Sequence, residues 1–169
     1  MATDKLYFCN PNQLAENMRE SMRLLGVDLG SKTIGLAVSD PSLKIASPIT
    51  TLKRSKMSSN ATEFSKIIKD YHIGGIVVGL PINMDGTEGP RVQATRDWSL
   101  DLAKTLIMPV AFWDERLSTV AVERMMLKAD MTRSRRAVKI DQAAAAYILQ
   151  GALDNIEMQS SRNQTPSTK

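Results

Sequence analysis

Two apolar segments, separated by one aspartate and a short turn, constrain the fold more than any other part of this sequence. Residues 24–29 are apolar except for Asp28, which is typical of a short strand buried on both faces. Residues 34–39 alternate large and small side chains, as in a strand with one bulky face. The four residues between them allow a hairpin but are too few for a parallel crossover. The stretch therefore predicts two antiparallel strands with a carboxylate near the end of the first.

Asp28 has two interpretations at this point. A carboxylate in a buried strand is costly unless another group pairs with it. Asp28 either caps its own hairpin turn or belongs to a functional site. The neighbouring Gly26, Gly30 and Gly35 leave room beside it for a backbone, a phosphate or an ion. These residues alone do not decide between the two, so the rest of the chain must.

The composition is that of a globular domain with a moderately basic charge. The 169 residues are 43% hydrophobic and carry a net charge of +4, which permits an anionic partner such as nucleic acid. A single cysteine, Cys9, excludes an internal disulfide and a cysteine metal cage. No apolar run approaches the ~18 residues of a membrane span, and the first residues lack the apolar core of a secretion signal. We therefore expect a cytoplasmic protein with no membrane partner.

After the hairpin, the pattern predicts an alternation of strands and helices. A third strand over residues 45–52 contains Pro48, which favours an edge position. A capping-box pattern at Asn60 predicts the start of a helix that Gly74-Gly75 ends. Further strands are predicted over residues 76–80 and 109–113, with helices over 91–106, 118–129 and 140–155. With right-handed crossovers, this order predicts an α/β fold with a five-stranded mixed sheet and helices on both faces. The sheet joins an antiparallel three-strand meander to two parallel strands.

The same pattern divides the chain into one domain and two flanking segments. Residues 22–155 form the predicted compact domain. Residues 1–21 are polar with a thin apolar face, so we expect an N-terminal extension that is compatible with flexibility. Residues 156–169 are rich in Ser, Gln, Asn and Thr, and we expect them to form a disordered tail.

Acidic residues from distant parts of the chain are predicted at one edge of this sheet. Asp28 ends the first strand, Asp114 and Glu115 follow the last strand, and Asp141 starts the final helix. Ligands gather at the carboxyl ends of parallel strands, and carboxylate oxygens suit Mg²⁺, which supports phosphoryl displacement. Each acid also has a structural alternative, since Asp141 could cap its helix and Asp114 or Glu115 could pair with Arg116. Their joint placement favours a metal site.

A basic run precedes Asp141 and would lie near the mouth of such a site. Basic side chains there would hold a phosphate backbone, although an isolated basic run is more often a solvated loop. The glycine-rich loop after Leu80 adds polar groups that could orient water or ribose. The candidates for contacts with phosphate or nucleic acid are Lys32, Asn83, Arg91, Arg116, Arg133, Arg135, Arg136 and Lys139.

Four segments of the chain resemble the motifs of the YqgF family, in the same order. They are Asp28–Gly35, Val78–Arg91, Asp114–Thr119 and Asp141–Ala146. The resemblance covers residues 22–153, and the family is also described as pre-16S rRNA nucleases or Holliday-junction-resolvase-like proteins. It implies an RNase H-like fold and a nuclease that depends on Mg²⁺ or Mn²⁺. It also implies a role in trimming the 5′ end of the small-subunit rRNA precursor.

The resemblance also implies roles for individual residues. It implies three catalytic acids that hold the metal, Asp28, Glu115 and Asp141, and we expect Asp114 to assist them or to orient Arg116. The wider RNase H-like group usually has an acid at the end of its fourth strand, where this chain has Leu80-Pro81. The second acid is therefore taken from the next strand, which leaves Asp114 as an alternative to Glu115. Lys32 matches the basic residue of the first motif.

Three other functions remain to be weighed against an rRNA nuclease. A phosphotransferase of the sugar-kinase class needs a second lobe with a second phosphate loop, and this chain has one copy of the motif. A non-catalytic module that binds nucleic acid conflicts with the acidic set, because carboxylates repel a phosphate chain unless a cation intervenes. Cleavage of branched DNA as a Holliday-junction resolvase stays open, because phosphate contacts carry no base information.

Overall fold

A six-stranded sheet with helices on both faces organises the computed structural model, which describes residues 7–116 and 133–163. The strands are β1 (Phe8–Cys9), β2 (Arg23–Leu29), β3 (Thr33–Ser39), β4 (Ala46–Lys53), β5 (Ile73–Leu80) and β6 (Val110–Asp114). The helices are α1 (Pro11–Glu16), α2 (Met57–Tyr71), α3 (Pro90–Leu106) and α4 (Arg133–Asn163). The helix predicted over residues 118–129 lies outside the described residues, as do the side chains of residues 133–139. Within the described ranges, every helix is too short or too polar to cross a membrane.

The strand order of the sheet is β1-β6-β5-β2-β3-β4. Strands β2, β3 and β4 form the predicted antiparallel meander, and β5 and β6 follow in parallel on the free side of β2. Strand β4 lies at the edge, and Pro48 falls where its register with β3 shifts. The α/β class and the five predicted strands are therefore confirmed. The sixth strand, β1, pairs in parallel with β6 and is too short to produce a periodic pattern in the sequence.

Each face of the sheet buries its own apolar cluster. On one face, the large side chains of β3, such as Ile34 and Leu36, pack with Phe64 of α2 and Trp98 of α3. On the other face, the small side chains of β3 lie against α4, where Ala37 shares a cluster with residues such as Leu149. The alternation of large and small residues in β3 thus reflects one face covered by bulky side chains and one covered closely by a helix.

A flexible extension was expected for residues 1–21, and residues 7–21 differ from it. Helix α1 begins with a capping box, in which the backbone N–H of Gln13 donates to the Asn10 side chain at 2.9 Å. Leu14 is only 1% exposed and packs against Gly75, where a Cβ would lie 2.5 Å from the Leu14 Cδ1. One buried leucine and one cap therefore anchor a segment that has no amphipathic stripe.

The C-terminal helix is longer at both ends than the sequence pattern predicts. It begins at Arg133 rather than at residue 140, so the basic run is helical. It also continues through Asn163, although residues 156–169 were expected to be disordered. Ile156 is 8% exposed and belongs to the apolar cluster that includes Leu14. Burial of this residue helps to hold the polar end of α4 in place.

The boundaries of α2 also differ from the prediction. The helix begins at Met57, and Asn60 lies inside it rather than at its N-cap. The buried Asn60 amide accepts the backbone N–H of Ser55 at 2.9 Å and donates to the Lys53 carbonyl at 2.9 Å. The helix ends at Tyr71, and its C-cap residue, His72, adopts a left-handed conformation with φ of 54°. Gly74-Gly75 does not end the helix, because both residues belong to β5.

Candidate functional site

The register of the central strands brings two of the predicted acids to one edge of the sheet. Val27 pairs with Val78, and Leu80 pairs with Asp114, so β2, β5 and β6 end side by side. The backbone N–H of Glu115 donates to the Leu80 carbonyl at 3.3 Å. Asp28 and Glu115 therefore lie at the same carboxyl edge, where the strand order predicts them.

Glycines of the meander allow α4 to pack closely against the sheet, which places Asp141 near Asp28. Gly35 lies opposite Asp28 in the register of β2 and β3. A Cβ at Gly35 would lie 2.0 Å from the Asp141 carbonyl oxygen, so a larger residue would displace the helix. At Gly26, a Cβ would lie 2.7 Å from the Leu149 Cβ. The room beside Asp28 is thus filled in part by α4.

Asp141 is held by a hydroxyl of the hairpin. The Thr33 Oγ1 donates to the Asp141 Oδ2 at 2.5 Å. Asp141 lies inside α4, which begins at Arg133, so the alternative that Asp141 caps its helix is wrong. Thr33 is not among the site residues predicted from the sequence, although it lies in the motif that begins at Asp28. Thr33 reaches Asp141 only because α4, from the other end of the sequence, packs against the hairpin.

The environment of Asp28 opposes its ionisation. Burial is the largest cause, followed by repulsion from Glu115 and Asp141, while Arg91 acts in the opposite direction. Together these effects raise the pKa of Asp28 to about 7. Among the described residues, no hydrogen bond to the Asp28 carboxylate offsets its partial burial. The site therefore concentrates negative charge that the surrounding protein leaves largely uncompensated.

The two adjacent acids after β6 have different partners. Burial raises the pKa of Glu115, with Arg91 lowering it and Asp114 adding repulsion. The Glu115 carboxylate lies over Gly79, where a Cβ would be 2.5 Å from its Oε2. The Asp114 carboxylate instead pairs with Arg116 at 2.5 Å, and the hydrogen bond from Arg116 lowers the pKa of Asp114. The structure therefore groups Glu115 with Asp28, and Asp114 with Arg116.

The acids do not form a ready metal cage. Within residues 7–116 and 133–163, no group of three or more His, Cys, Asp and Glu side chains is arranged to hold a metal ion. Asp28, Glu115 and Asp141 interact electrostatically at one sheet edge and offer only carboxylate oxygens. This donor chemistry suits a hard divalent cation.

The predicted basic and polar residues are distributed around this edge. Lys32 is exposed on the hairpin turn, and Arg91 is exposed in the first turn of α3. The Asn83 amide donates to the Thr87 Oγ1 at 3.0 Å, so it shapes its own loop. The described region leaves out the side chains of the predicted basic run: Arg133, Arg135, Arg136 and Lys139.

A groove of about 300 Å³ opens beside the hairpin and includes a basic residue that is not among those predicted from the sequence. Arg54 lines this groove together with Arg91, and the Arg54 Nη1 donates to the Gly30 carbonyl at 3.0 Å. A basic composition around residues 53–56 was the only signal for it in the sequence. The closeness of Arg54 to the hairpin depends on the pairing of β4 with β3.

The sheet topology and the position of the acids define an RNase H-like α/β protein. The fold is shared with a solved structure titled "T. thermophilus RuvC in complex with Holliday junction substrate", with a TM-score of 0.50. The match covers 82% of this chain and 96% of that one at 16% identity, which concerns the fold alone. Residues 22–155 match the RuvX family, described as Holliday junction resolvase, and the chain belongs to this family.

Curated relatives of the chain agree with the resemblance to YqgF proteins. A protein of Rhodospirillum centenum named "Putative pre-16S rRNA nuclease" is 53% identical over 152 residues. This match covers 87% of the chain and 81% of the relative. A protein of the same name from Paramagnetospirillum magneticum is 52% identical over 145 residues, covering 86% of the chain and 94% of the relative.

Proposed function

We propose that this chain is a divalent-metal-dependent nuclease that hydrolyses phosphodiester bonds and processes the 5′ end of the 16S rRNA precursor in the cytoplasm. One observation carries the proposal: Asp28 and Glu115, from distant parts of the sequence, lie at the same edge of the sheet, and α4 contacts Gly35, opposite Asp28, at Asp141. Such crowding of carboxylates is typical of a site built for a cation. The names of the curated relatives support the choice of substrate.

The chemistry of the acids fits Mg²⁺ or Mn²⁺. Asp28, Glu115 and Asp141 would hold the metal, since all three offer hard oxygen ligands. A bound divalent ion would activate water and stabilise the leaving oxygen of the phosphodiester. The charge of an ion also offsets the repulsion that keeps the carboxylates apart, so we expect the three groups to draw together when one binds.

The other residues of the site position these acids and meet the phosphate chain. Thr33 donates to one oxygen of Asp141, which fixes the orientation of the carboxylate. Asp114 holds the Arg116 guanidinium at the rim, where it can meet a phosphate oxygen. Arg91 partly offsets the charge of Asp28 and Glu115. Lys32 and the basic start of α4 would hold the flanking phosphates.

Resolution of branched DNA is a second candidate function, favoured by the description of the matching family. The same acids would serve either substrate, because both reactions hydrolyse a phosphodiester. Phosphate contacts carry no base information, so a cleavage assay on both substrates distinguishes the two functions.

A cleavage assay with Mg²⁺ or Mn²⁺ tests the proposal. A 16S rRNA precursor fragment and a four-way DNA junction are incubated in parallel with the wild type, Asp28→Asn, Asp141→Asn and the double variant. We expect the wild type to cut the RNA and both single variants to lose the activity. Equal cleavage by the double variant would identify a contaminating nuclease. Absence of wild-type cleavage, with RNA binding undiminished by EDTA and improved in Asp28→Asn, would favour a non-catalytic binding module.

A further inference from the structure

The groove beside the hairpin is a separate basic surface that adjoins the acids. Its walls are the turn at Gly30 and Ser31, Arg54 directly after β4, and the first turns of α3 at Arg91 and Thr95. Leu29, the residue after Asp28, also lines the groove, and the charge of Arg91 acts on both Asp28 and Glu115. A ligand that fills the groove is therefore contiguous with one bound at the acids.

Arg54 is fixed in the groove by its backbone and by its side chain. Its backbone N–H donates to the Lys32 carbonyl at 2.9 Å, which continues the pairing of β4 with β3. Its Nη1 donates to the Gly30 carbonyl at 3.0 Å. A guanidinium has five N–H donors, so most of them remain available. Within the described residues, Arg54 forms no ion pair with a carboxylate.

The opposite wall of the groove also favours an anion. The N-cap of α3 is Gly89, which gives no side-chain hydrogen bond to the first turn. The positive end of the α3 dipole lies in this first turn and adds to the positive potential near Arg91. Arg54 and Arg91 thus line a groove whose other side includes the small residues Gly30 and Ser31 of the hairpin turn. This arrangement fits a compact anion better than a base or an apolar side chain.

We infer that this groove binds the phosphate next to the scissile one on the nucleic-acid strand, with Arg54 as its main ligand and Arg91 between the two phosphates. The assignment rests on the proposed function, because the acids define which phosphate is the scissile one. Guanidinium groups suit phosphate oxygens, and contacts to phosphate carry no base information, so the groove serves RNA and DNA strands of any sequence.

Binding of a fluorescent single-stranded RNA, measured by anisotropy over a range of KCl concentrations, tests this inference. All proteins carry Asp28→Asn so that cleavage does not interfere. We expect Arg54→Gln to weaken binding about tenfold and to reduce the slope of log K against log[KCl] by about 0.7, the value for one phosphate contact on a single strand. Arg54→Lys should keep the slope. The matched control is Arg19→Gln, an exposed arginine near the start of β2, which should leave affinity and slope unchanged.

Two outcomes would overturn the inference. One is an Arg54→Gln protein with the affinity and slope of its parent. The other is weaker binding with an unchanged slope and a lower melting temperature, which would mean that Arg54 only holds the hairpin at Gly30. The cleavage assay separates this inference from the proposed function. An inactive wild type with the expected change of slope would refute the nuclease and retain the phosphate site, and an active wild type with no change of slope would do the reverse.

Discussion

Two aspartates of the meander lie in opposite electrostatic environments. Asp40, in the turn between β3 and β4, accepts the backbone N–H groups of Lys44 at 2.7 Å and Ile45 at 2.8 Å. It also accepts the hydroxyl of Ser42, and these hydrogen bonds hold its pKa well below the usual range. Burial and neighbouring acids instead raise the pKa of Asp28 to about 7.

These opposite environments distinguish a structural carboxylate from one that is available to bind a ligand. The donors that satisfy Asp40 are supplied by its own turn, within five residues of it. The described residues supply no hydrogen bond to Asp28 and surround it with further acids. A turn aspartate was one of two interpretations of Asp28 from the sequence, and Asp40 shows the hydrogen bonds that this interpretation requires. Asp28 lacks them.

The largest expected effect is the difference in cleavage rate between variants of Asp28 and Asp40. We expect Asp28→Asn to lower the rate of RNA cleavage by about 10³-fold or more, since it removes a ligand of the proposed metal site. Asp40→Asn should stay within about twofold of the wild type, because Asp40 is remote from the reaction and serves its turn. Initial rates under identical Mg²⁺ concentrations measure both. Comparable losses in the two variants would remove the distinction.

The approach of α4 to the meander is expected to have the next largest effect. Gly35→Ala places a methyl group 2.0 Å from the Asp141 carbonyl oxygen and must displace the helix. We expect it to lower the free energy of unfolding by about 3 kcal/mol and to reduce cleavage without altering any carboxylate. Gly89→Ala is the comparison variant, since its nearest neighbour would be 3.6 Å away, and we expect it to lose less than about 1 kcal/mol, the cost of alanine at an N-cap. Urea unfolding of both variants measures the difference, and similar losses would contradict the close packing.

The raised pKa of Asp28 should make the stability of the protein depend on pH. The folded protein keeps the Asp28 proton up to about pH 7, whereas the unfolded chain loses it near pH 4. Between these values the folded state binds more protons, so the free energy of unfolding falls as pH rises. For metal-free protein we expect a contribution of about 2 kcal/mol that is absent in Asp28→Asn. Parallel pH profiles from urea unfolding in EDTA would contradict the raised pKa.

The smallest effect concerns the turn. Asp40→Asn should lower the free energy of unfolding by about 1 kcal/mol, because backbone N–H groups lose a charged acceptor in an exposed loop. The contribution of Asp40 to stability changes with pH in the opposite direction to that of Asp28. A lowered pKa stabilises the fold above about pH 4 and this contribution is lost as pH falls. Acid unfolding of the two proteins compares them, and a variant as stable as the wild type at neutral pH would refute this role.

The sequence predicts the parts of the fold that repeat a local pattern. The alternation in β3 and the apolar runs of β2, β5 and β6 are sufficient for the strand order, and the strand order brings Asp28 and Glu115 to one edge. Strand β1 was missed because two residues carry no period. Helix α1 was missed as a docked element because it depends on one buried side chain, Leu14.

Other features of the site depend on contacts between distant residues. The hydrogen bond from Thr33 to Asp141 joins residues 108 positions apart. It requires the passage of α4 over Gly35, which a local pattern does not contain. The different partners of Asp114 and Glu115 also follow from the folded structure. Glu115 fits into the space above Gly79, and Asp114 pairs with Arg116.

Binding of Mn²⁺ to the folded protein tests the central claim most directly, because it requires no substrate. A ligand that binds only the folded state raises the melting temperature with concentration. We predict that MnCl₂ raises the melting temperature of the wild type and of Asp40→Asn alike, and leaves those of Asp28→Asn and Asp141→Asn nearly unchanged. Equal rises in all four proteins would contradict a metal site at the Asp28 edge of the sheet.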